Sequence, residues 1–291
     1  MRITLILPSI GKKEKSYIKS WQMQPLSMAI LKAIIPKEID VKFYDDRLEK
    51  IPYGEPTDLV AISVETFTAR RAYIIASEYR KRGVKVVLGG FHPTLLPDEA
   101  KENADSVLIG EAETTFPQII EDLKNGGLKE FYNGKDKEFH WVKPDRSVFN
   151  GKKYFNLNLI ESGRGCVFNC DFCTITKFFN GKYKPKPIKD VIDEIKELNS
   201  KYVFIVDDNI TANKERAKEL FRNLIPLKIK WISQASMDIT LDEEFMDLMK
   251  KSGCVGLLIG FESLSIDNLK QMNKNVNQKI PIKDAINKIH Q

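Results

Sequence analysis

Apolar runs and helical patterns alternate along the first part of the chain. Short apolar runs predict strands at residues 2–7, 41–44, 59–63, 84–88 and 106–109. Apolar residues at helical spacing predict helices at residues 26–35, 68–82 and 114–124. Strands that alternate with crossover helices build a doubly wound parallel sheet. We therefore predict that residues 1–124 form an α/β domain of the Rossmann or flavodoxin-like type.

The same alternation returns in the second half. Apolar runs predict strands at residues 158–161, 202–206, 231–235 and 256–261. Helical patterns follow at residues 188–198, 214–224, 242–251 and 282–290. These four β/α units are fewer than the eight of a closed TIM barrel. Residues 156–291 are therefore predicted to form a partial TIM-type (β/α) barrel, and the polar residues 125–155 a linker.

Polar and glycine residues follow the predicted strands of the first half. In doubly wound sheets, ligands bind beyond the carboxyl ends of the strands. The candidate residues at those ends are Ser9, Ser63, Glu65, Gly89, Gly90, His92, Gly110 and Glu111. Adjacent glycines let a backbone approach a bulky ligand, although a tight turn explains Gly89 and Gly90 equally well.

The charge and hydropathy of the chain narrow the class of protein. The net charge of +6 comes from 46 basic and 40 acidic residues spread along 291 residues. A nucleic-acid binder would concentrate basic residues on one face, so we expect no nucleic-acid partner. No apolar run approaches the ~20 residues of a membrane span. The first eight residues are too short an apolar stretch for a signal peptide, which favours a cytoplasmic location.

Three of the four cysteines lie within eight residues, as Cys166, Cys170 and Cys173. Such a cluster indicates metal binding rather than disulfide formation. Three thiolates on one loop can bind three irons of a [4Fe–4S] cluster and leave the fourth iron open to a small molecule, whereas these clusters otherwise take four cysteines. A zinc site with a fourth ligand from Cys254 or a histidine is one alternative. Simple buried thiols are another.

The Cys-x3-Cys-x2-Cys spacing, with Phe172 before the last cysteine, resembles that of the radical S-adenosylmethionine superfamily. The first half resembles the cobalamin (B12)-binding domain that precedes the barrel in one branch. The segments that carry this second resemblance are 89–94, 110–113, 144–147, 206–209 and 260–263. The resemblance covers nearly the whole chain.

This resemblance implies that the open iron chelates S-adenosylmethionine. An electron from an external donor, such as a flavodoxin or ferredoxin, would cleave it to methionine and a 5′-deoxyadenosyl radical. The radical would abstract hydrogen from a small-molecule or lipid substrate. In the cobalamin branch, a methyl group carried by the cobalt is often transferred to the substrate radical. The implied activity is a cobalamin-dependent C-methyltransferase. A cobalamin-free oxidoreductase or cyclase, and a truncated, non-catalytic metal-binding protein, are the alternatives.

The resemblance also assigns residues by position. Phe172 would shield the cluster, and Asp207, Asp208 and Asn209 would contact the methionine amino group. Gln234, Ser236 and Glu262 would complete the S-adenosylmethionine site. Residues 207–209 could instead begin a helix, because Asp and Asn are preferred N-caps.

Two features depart from the family pattern. The Asp-x-His-x-x-Gly motif, whose histidine binds cobalt from below in some cobalamin domains, is absent after the first strand. His92 lies on a ligand-facing loop, where contact with the nucleotide tail of cobalamin is a better expectation than cobalt ligation. The barrel also shows about four of the usual six units, which puts catalytic competence in question.

Overall fold

The computed structural model describes residues 1–10, 22–135 and 137–290. The chain divides into two compact units, Met1–Phe155 and Asn156–Gln291. Gly11, Lys12 and Lys13, which stand where the cobalt-ligand motif would continue, lie outside the described residues. No helix within the described ranges is long and apolar enough to cross a membrane.

The first unit is built on a parallel six-stranded sheet. Its strands are β1 (Arg2–Leu7), β2 (Asp40–Asp45), β3 (Leu59–Ser63), β4 (Lys85–Gly89), β5 (Ser106–Ile109) and β6 (Phe131–Asn133). Their order is β2-β1-β3-β4-β5-β6, and every neighbouring pair is parallel. The predicted doubly wound fold is confirmed. The order reverses between β1 and β3, which is the switch point at which such sheets bind ligands.

Helices cover both faces of this sheet. They are α1 (Leu26–Ile34), α2 (Ala69–Arg80), α3 (Phe91–Leu95), α4 (Pro97–Glu102) and α5 (Ala112–Lys124), with 3₁₀ helices at Thr66–Thr68 and Arg146–Phe149. Ile3 and Leu5 pack on one face with residues of α1 and α5. Ile6 and Val60 pack on the other face with residues of α2. This two-sided burial explains why the strands read as continuous apolar runs.

Residues 125–155 are part of the first unit and not a linker. Strand β6 pairs with β5, which makes it the sixth strand of the sheet. Phe149 is buried, with its ring centroid 6.1 Å from that of Phe43. The Tyr154 hydroxyl donates to Asp45 Oδ2 at 3.0 Å. The linker interpretation is therefore wrong. The strand was missed because three residues are too few to show an apolar pattern.

The second unit contains an open parallel sheet. Its strands are β7 (Asn158–Ile160), β8 (Gly163–Arg164), β9 (Lys184–Pro185), β10 (Tyr202–Ile205), β11 (Lys230–Ala235) and β12 (Cys254–Ile259). The four main strands run parallel in the order β12-β11-β10-β7, while β8 and β9 form a short antiparallel ribbon. All four predicted strands are present, and the described residues form no closed barrel.

The helices of the second unit follow the predicted β/α alternation. They are α6 (Thr174–Phe179), α7 (Ile188–Leu198), α8 (Lys214–Leu224), α9 (Glu243–Lys251), α10 (Ile266–Gln271) and α11 (Ile282–Ile289), with 3₁₀ helices at Ile225–Leu227, Met237–Leu241 and Asn275–Gln278. Side chains of Asn213 and Asp242 cap α8 and α9. The core packs Trp231 of β11 between these helices, stacked on Phe221 at 5.1 Å between ring centroids.

Candidate functional site

The cysteine loop leaves the ribbon strand β8 and returns through α6. Gly165 begins it with φ +81°, and a Cβ there would lie 2.1 Å from the Lys182 carbonyl oxygen, so only glycine fits. Cys166 and Cys173 are half-buried and Cys170 is buried. The Cys173 N–H donates to the Cys170 carbonyl at 3.1 Å, which closes a turn between these two cysteines.

The thiols are close enough to influence one another. Burial raises the pKa of the Cys166 and Cys170 thiols, and the nearby Cys173 raises both further. Asn209 Nδ2 donates to Cys166 Sγ at 3.6 Å. Hydrogen bonds to cluster sulfurs of this kind tune reduction potentials.

The donor set fits a cubane better than a single ion. Within residues 1–10, 22–135 and 137–290, no three His, Cys, Asp or Glu side chains converge closely enough to hold one metal ion. A structural zinc ion needs four ligands around one point. In a [4Fe–4S] cluster each cysteine binds a different iron, so three spaced thiols on one loop suit it.

Asp207 and Asp208 hold the chain that leads into the cysteine loop. Asp207 Oδ1 accepts the N–H groups of Ser162 and Gly163 at 2.7 and 3.0 Å, and Oδ2 accepts the Ser162 hydroxyl at 2.5 Å. Burial raises the pKa of Asp207 to about 6. Asp208 Oδ2 accepts the Gly165 N–H at 2.7 Å. Asp207 therefore offers no accessible oxygen to a ligand, whereas Asp208 Oδ1 accepts no hydrogen bond among the described residues, although the charge of Arg164 acts on this carboxylate.

Asn209 joins the ends of β10 and β11 to the loop. Its Nδ2 donates to Ser236 Oγ at 2.9 Å as well as to Cys166, while Gln234 Nε2 donates to the Asp207 carbonyl at 3.3 Å. Three of the residues predicted from sequence thus meet at one point. The helix-start interpretation of residues 207–209 is wrong, because α8 begins later and Asn213 caps it.

Arg216 of α8 is a residue that the sequence did not indicate. Its Nη2 donates to the Ser162 carbonyl at 2.6 Å and to the Lys186 carbonyl, and its Nη1 donates to the Tyr183 hydroxyl at 3.2 Å. The guanidinium therefore ties together the segments that enter and leave the ribbon. Its partners are distant in sequence, so no local pattern could have identified it.

Glu262 and Phe172 meet a second unpredicted residue, Lys274. Glu262 has a left-handed backbone with φ +61°, and its Oε1 lies 3.2 Å from Lys274 Nζ. The same Nζ lies 5.7 Å from the ring centroid of Phe172, which is 50% exposed. Lys274 also lowers the pKa of Cys170, opposing the larger effect of burial. A cation thus stands beside the thiols and the exposed aromatic ring.

In the first unit, a buried ion pair lies beyond the ends of β1 and β2. Arg71 donates from Nε and Nη2 to the two oxygens of Asp46 at 2.8 and 2.7 Å. The Ser9 N–H and hydroxyl donate to Asp46 Oδ2 at 3.0 and 2.6 Å. At the end of β3, the Ser63 hydroxyl has no partner within the described chain, and burial raises the pKa of Glu65. Ser63 and Glu65 thus offer polar groups at the switch point, where a cofactor of this fold would bind.

The loops after β4 and β5 are shaped by contacts within the protein. Gly90 has φ +108°, and a Cβ there would lie 2.8 Å from the Val64 carbonyl oxygen. The Gly110 N–H donates to Thr94 Oγ1 at 2.9 Å, next to the largely buried Glu111. Close packing is therefore sufficient to account for these glycines, while Gly89 is in ordinary contact with Leu108.

His92 is buried in the same region. Its Nε2 lies 2.9 Å from the Tyr73 hydroxyl and 3.3 Å from Glu99 Oε1. Its Nδ1 is buried without a hydrogen-bond partner in the described structure. One ring nitrogen is thus engaged and the other is enclosed, so neither is free to ligate cobalt.

Comparisons with known proteins agree with this division of the chain. The model of the radical SAM superfamily matches residues 160–291, and that of the B12 binding domain matches residues 22–120. The chain combines a B12-binding domain with a radical SAM domain. Together the two domains imply a [4Fe–4S] cluster, S-adenosylmethionine and cobalamin as cofactors.

Two relatives are methyltransferases of Chlorobaculum tepidum. Bacteriochlorophyllide d C-12(1)-methyltransferase is 32% identical over 280 residues, which cover 91% of this chain and 61% of the relative. The C-8(2)-methyltransferase is 31% identical over 274 residues, covering 86% and 60%. The chain thus spans about three fifths of the length of these relatives.

A solved structure shares the fold. The radical S-adenosylmethionine methyltransferase TsrM of Kitasatospora setae, with cobalamin and a [4Fe–4S] cluster bound, superposes with a TM-score of 0.77 at 14% identity. The match covers 99% of this chain and 64% of TsrM. At this identity the likeness establishes the architecture and nothing about substrate.

Proposed function

We propose that this chain binds a [4Fe–4S] cluster through Cys166, Cys170 and Cys173 and cleaves S-adenosylmethionine reductively. The observation that carries the proposal is the convergence of polar side chains on the cysteine loop at the carboxyl ends of β10, β11 and β12. A cluster with an open iron supplies one electron to S-adenosylmethionine, and cobalamin supplies a methyl carrier.

The residues around the loop have separate roles in this proposal. Asp208 Oδ1 is the acceptor for the amino group of S-adenosylmethionine, because of the four carboxylate oxygens of Asp207 and Asp208 it is the one without a described hydrogen bond. Lys274 Nζ offers a cation for the carboxylate group, at the cost of its contact with Glu262. Phe172 covers the cluster from the solvent side. Asn209 orients Cys166 and Ser236 and is bonded to both.

Asp207 has a different role from the one expected from sequence. Its carboxylate is bonded to Ser162 and Gly163. It therefore fixes the start of the loop and does not contact the ligand.

For the first unit we propose cobalamin binding at the switch point, with Ser63 and Glu65 as contacts. Gly89, Gly90, Gly110 and Glu111 would shape the neighbouring loops, and Ser9 would act through its bonds to Asp46. His92 supports the loop after β4 and does not ligate the metal.

The activity that this arrangement supports best is methyl transfer to a carbon of a small-molecule substrate. The two bacteriochlorophyllide methyltransferases favour a flat, largely apolar substrate over a lipid. One-electron chemistry needs an external donor such as a flavodoxin or ferredoxin. Clustered free thiols favour a reducing compartment such as the cytoplasm.

The test begins with anaerobic reconstitution with iron and sulfide, followed by reduction. EPR spectra are recorded with and without S-adenosylmethionine, and 5′-deoxyadenosine is measured with and without added cobalamin. We expect a cluster signal that changes shape when S-adenosylmethionine is added. Asp208→Asn, which keeps an oxygen for the Gly165 N–H, should retain the cluster signal and weaken the response to S-adenosylmethionine by roughly tenfold in concentration, as expected when a charged hydrogen bond is lost.

Each outcome separates the proposal from an alternative. A cluster that ignores S-adenosylmethionine would indicate a non-catalytic metal-binding protein. Formation of 5′-deoxyadenosine with no binding of cobalamin would indicate a cobalamin-free oxidoreductase or cyclase. Uptake of one zinc ion in place of iron would refute the cluster.

A further inference from the structure

A directed chain of side-chain amides runs along the surface of the second unit. Gln278 Nε2 donates to Asn275 Oδ1 at 2.9 Å, and Asn275 Nδ2 donates to Asn273 Oδ1 at 2.8 Å. Asn273 Nδ2 then donates to the backbone carbonyl of Asn169 at 2.8 Å. Because each amide accepts through oxygen and donates through nitrogen, the chain has one direction. It ends on the cysteine loop.

The end of this amide chain lies beside the buried cysteine. Asn169 and Asp171 flank Cys170, which is 7% exposed. The Asp171 N–H donates to the Met272 carbonyl at 3.1 Å, so residues 272 and 273 bind the backbone on both sides of Cys170. Asn273 has φ +54°, a conformation that asparagine tolerates better than most residues.

The cysteine loop needs such external bonds. No regular secondary structure occurs between β8 and α6, so the loop backbone has few partners of its own. Asp207, Asp208 and Arg216 hold only its entrance, near residues 162–165. Apart from the turn bond between Cys173 and Cys170, the described hydrogen bonds to residues 169–171 come from the segment after α10.

We propose that Asn273 and Asn275 are positioning residues that fix Cys170 for cluster binding through the Asn169 carbonyl. The inference rests on the cluster proposed above. Met272 contributes the second bond through its backbone. Asn275 keeps the Asn273 amide turned so that its nitrogen faces Asn169. Functional groups held in this way by supporting hydrogen bonds bind metals more tightly and with fixed geometry.

Three variants separate this role from a merely structural turn. Asn273→Gly retains a residue suited to positive φ and removes only the amide. Asn275→Ala removes the donor to Asn273 Oδ1. Asn275→Asp keeps the shape but cannot donate, so the Asn273 amide should rotate and present its oxygen to the Asn169 carbonyl.

The matched control is Asn223→Asp on α8. Asn223 Nδ2 also donates to a backbone carbonyl, that of Glu219 at 2.9 Å, and it is exposed. The control therefore introduces the same charge and removes one hydrogen bond donated by an asparagine amide, away from the loop. Thermal unfolding of the protein without iron checks that each variant folds.

The measurements are the rate of iron loss to a chelator from the anaerobically reconstituted protein, and the g-values and midpoint potential of the reduced cluster. We expect Asn273→Gly, Asn275→Ala and Asn275→Asp each to lose iron about fivefold faster, the factor for one net hydrogen bond. Their EPR g-values should shift because Cys170 moves, and Asn223→Asp should match the wild type. A change in fold stability alone would leave the g-values of the remaining cluster unchanged.

Two results would overturn the inference while leaving the proposed function intact. One is wild-type iron loss and spectra in all three variants. The other is an effect in Asn275→Asp with none in Asn275→Ala, which would assign the effect to charge. If the wild type itself takes up no cluster, the proposed function fails and this inference with it.

Discussion

The carboxyl ends of the two parallel sheets are both polar, but their polar groups have different partners. In the first unit, Asp46 binds Arg71 and Ser9, and His92 contacts Tyr73. These side chains bond to one another and build the edge itself. In the second unit the polar side chains after β10 bond instead to the cysteine loop and to the residues that lead into it.

The second edge serves the cysteine loop at several points. Asp207 binds the backbone of Ser162 and Gly163, Asp208 binds Gly165, and Asn209 reaches Cys166. Two parallel sheets of different strand order thus differ in what their carboxyl ends hold: in the first unit the polar side chains bond to one another, and in the second they bond to the cysteine loop. Topology determines where a site lies, and the side chains at the strand ends determine its chemistry.

The largest effect should come from the cysteine loop. Replacing Cys166, Cys170 and Cys173 together by alanine should abolish iron and sulfide uptake, because the loop then has no thiolate to bind the cluster. Cys254→Ala is the matched control, since Cys254 is a half-buried residue at the start of β12. Iron content and the visible spectrum after anaerobic reconstitution measure the result. Cluster uptake by the triple variant would show that these three cysteines do not bind the cluster.

The next largest effect should come from the buried ion pair between Arg71 and Asp46 in the first unit. Arg71→Met leaves the buried carboxylate of Asp46 without its cation, which should lower the free energy of unfolding by about 3 kcal/mol. Arg82→Met on the exposed pair with Glu78 is the control and should change stability little. Denaturant unfolding of both variants measures the difference. Equal stability would mean that the first edge does not depend on its internal ion pair.

A smaller effect concerns pH. Burial raises the pKa of Asp207 to about 6, compared with about 3.9 for an unfolded aspartate. Because the folded state binds this proton more tightly, the stabilisation is complete below pH ~4 and is lost as the pH rises through about 6. Between pH 4 and 6 the wild type should therefore lose roughly 2 kcal/mol more unfolding free energy than Asp207→Asn.

The measurement is denaturant unfolding of the protein without iron at several pH values. Asp267→Asn, whose parent side chain is 85% exposed, is the control for loss of one carboxylate. Parallel pH profiles for the wild type and Asp207→Asn would show that the pKa of Asp207 is not raised, because its hydrogen bonds to Ser162 and Gly163 then offset the effect of burial.

Most of the fold could be predicted from the sequence, because parallel strands that are buried on both faces consist of short continuous runs of apolar residues. Each predicted strand, such as 202–206 or 59–63, lies within about two residues of its observed position. Strand β6 was missed because three residues are too few to show a strand pattern in the sequence. It is defined as a strand by its pairing with β5. The helices α3, α4, α6 and α10 were missed because five or six residues are less than two helical turns, too few to show a 3.6-residue period.

The site could be predicted only where its residues form a motif. The three cysteines, Phe172 and residues 207–209 lie in continuous segments, so the sequence pattern could offer them as candidates. Arg216 and Lys274 were not identified from the sequence, because their partners Ser162 and Phe172 are far away along the chain. Asp207 follows a strand as expected, but a pattern does not specify which way a carboxylate points, and the structure turns this one towards Ser162 and Gly163.

The smallest expected effect tests whether the first edge offers a cobalt ligand. His92 Nε2 contacts Tyr73 and Glu99, and Nδ1 is enclosed. Cobalamin bound by the wild type should therefore show no nitrogen splitting from a protein imidazole in the EPR spectrum of the Co(II) form. His92→Gln should give the same spectrum, because glutamine alters the first edge and not the metal. A nitrogen splitting present in the wild type and lost in His92→Gln would mean that this side chain leaves its buried position to bind cobalt, and that the first edge rearranges when cobalamin binds.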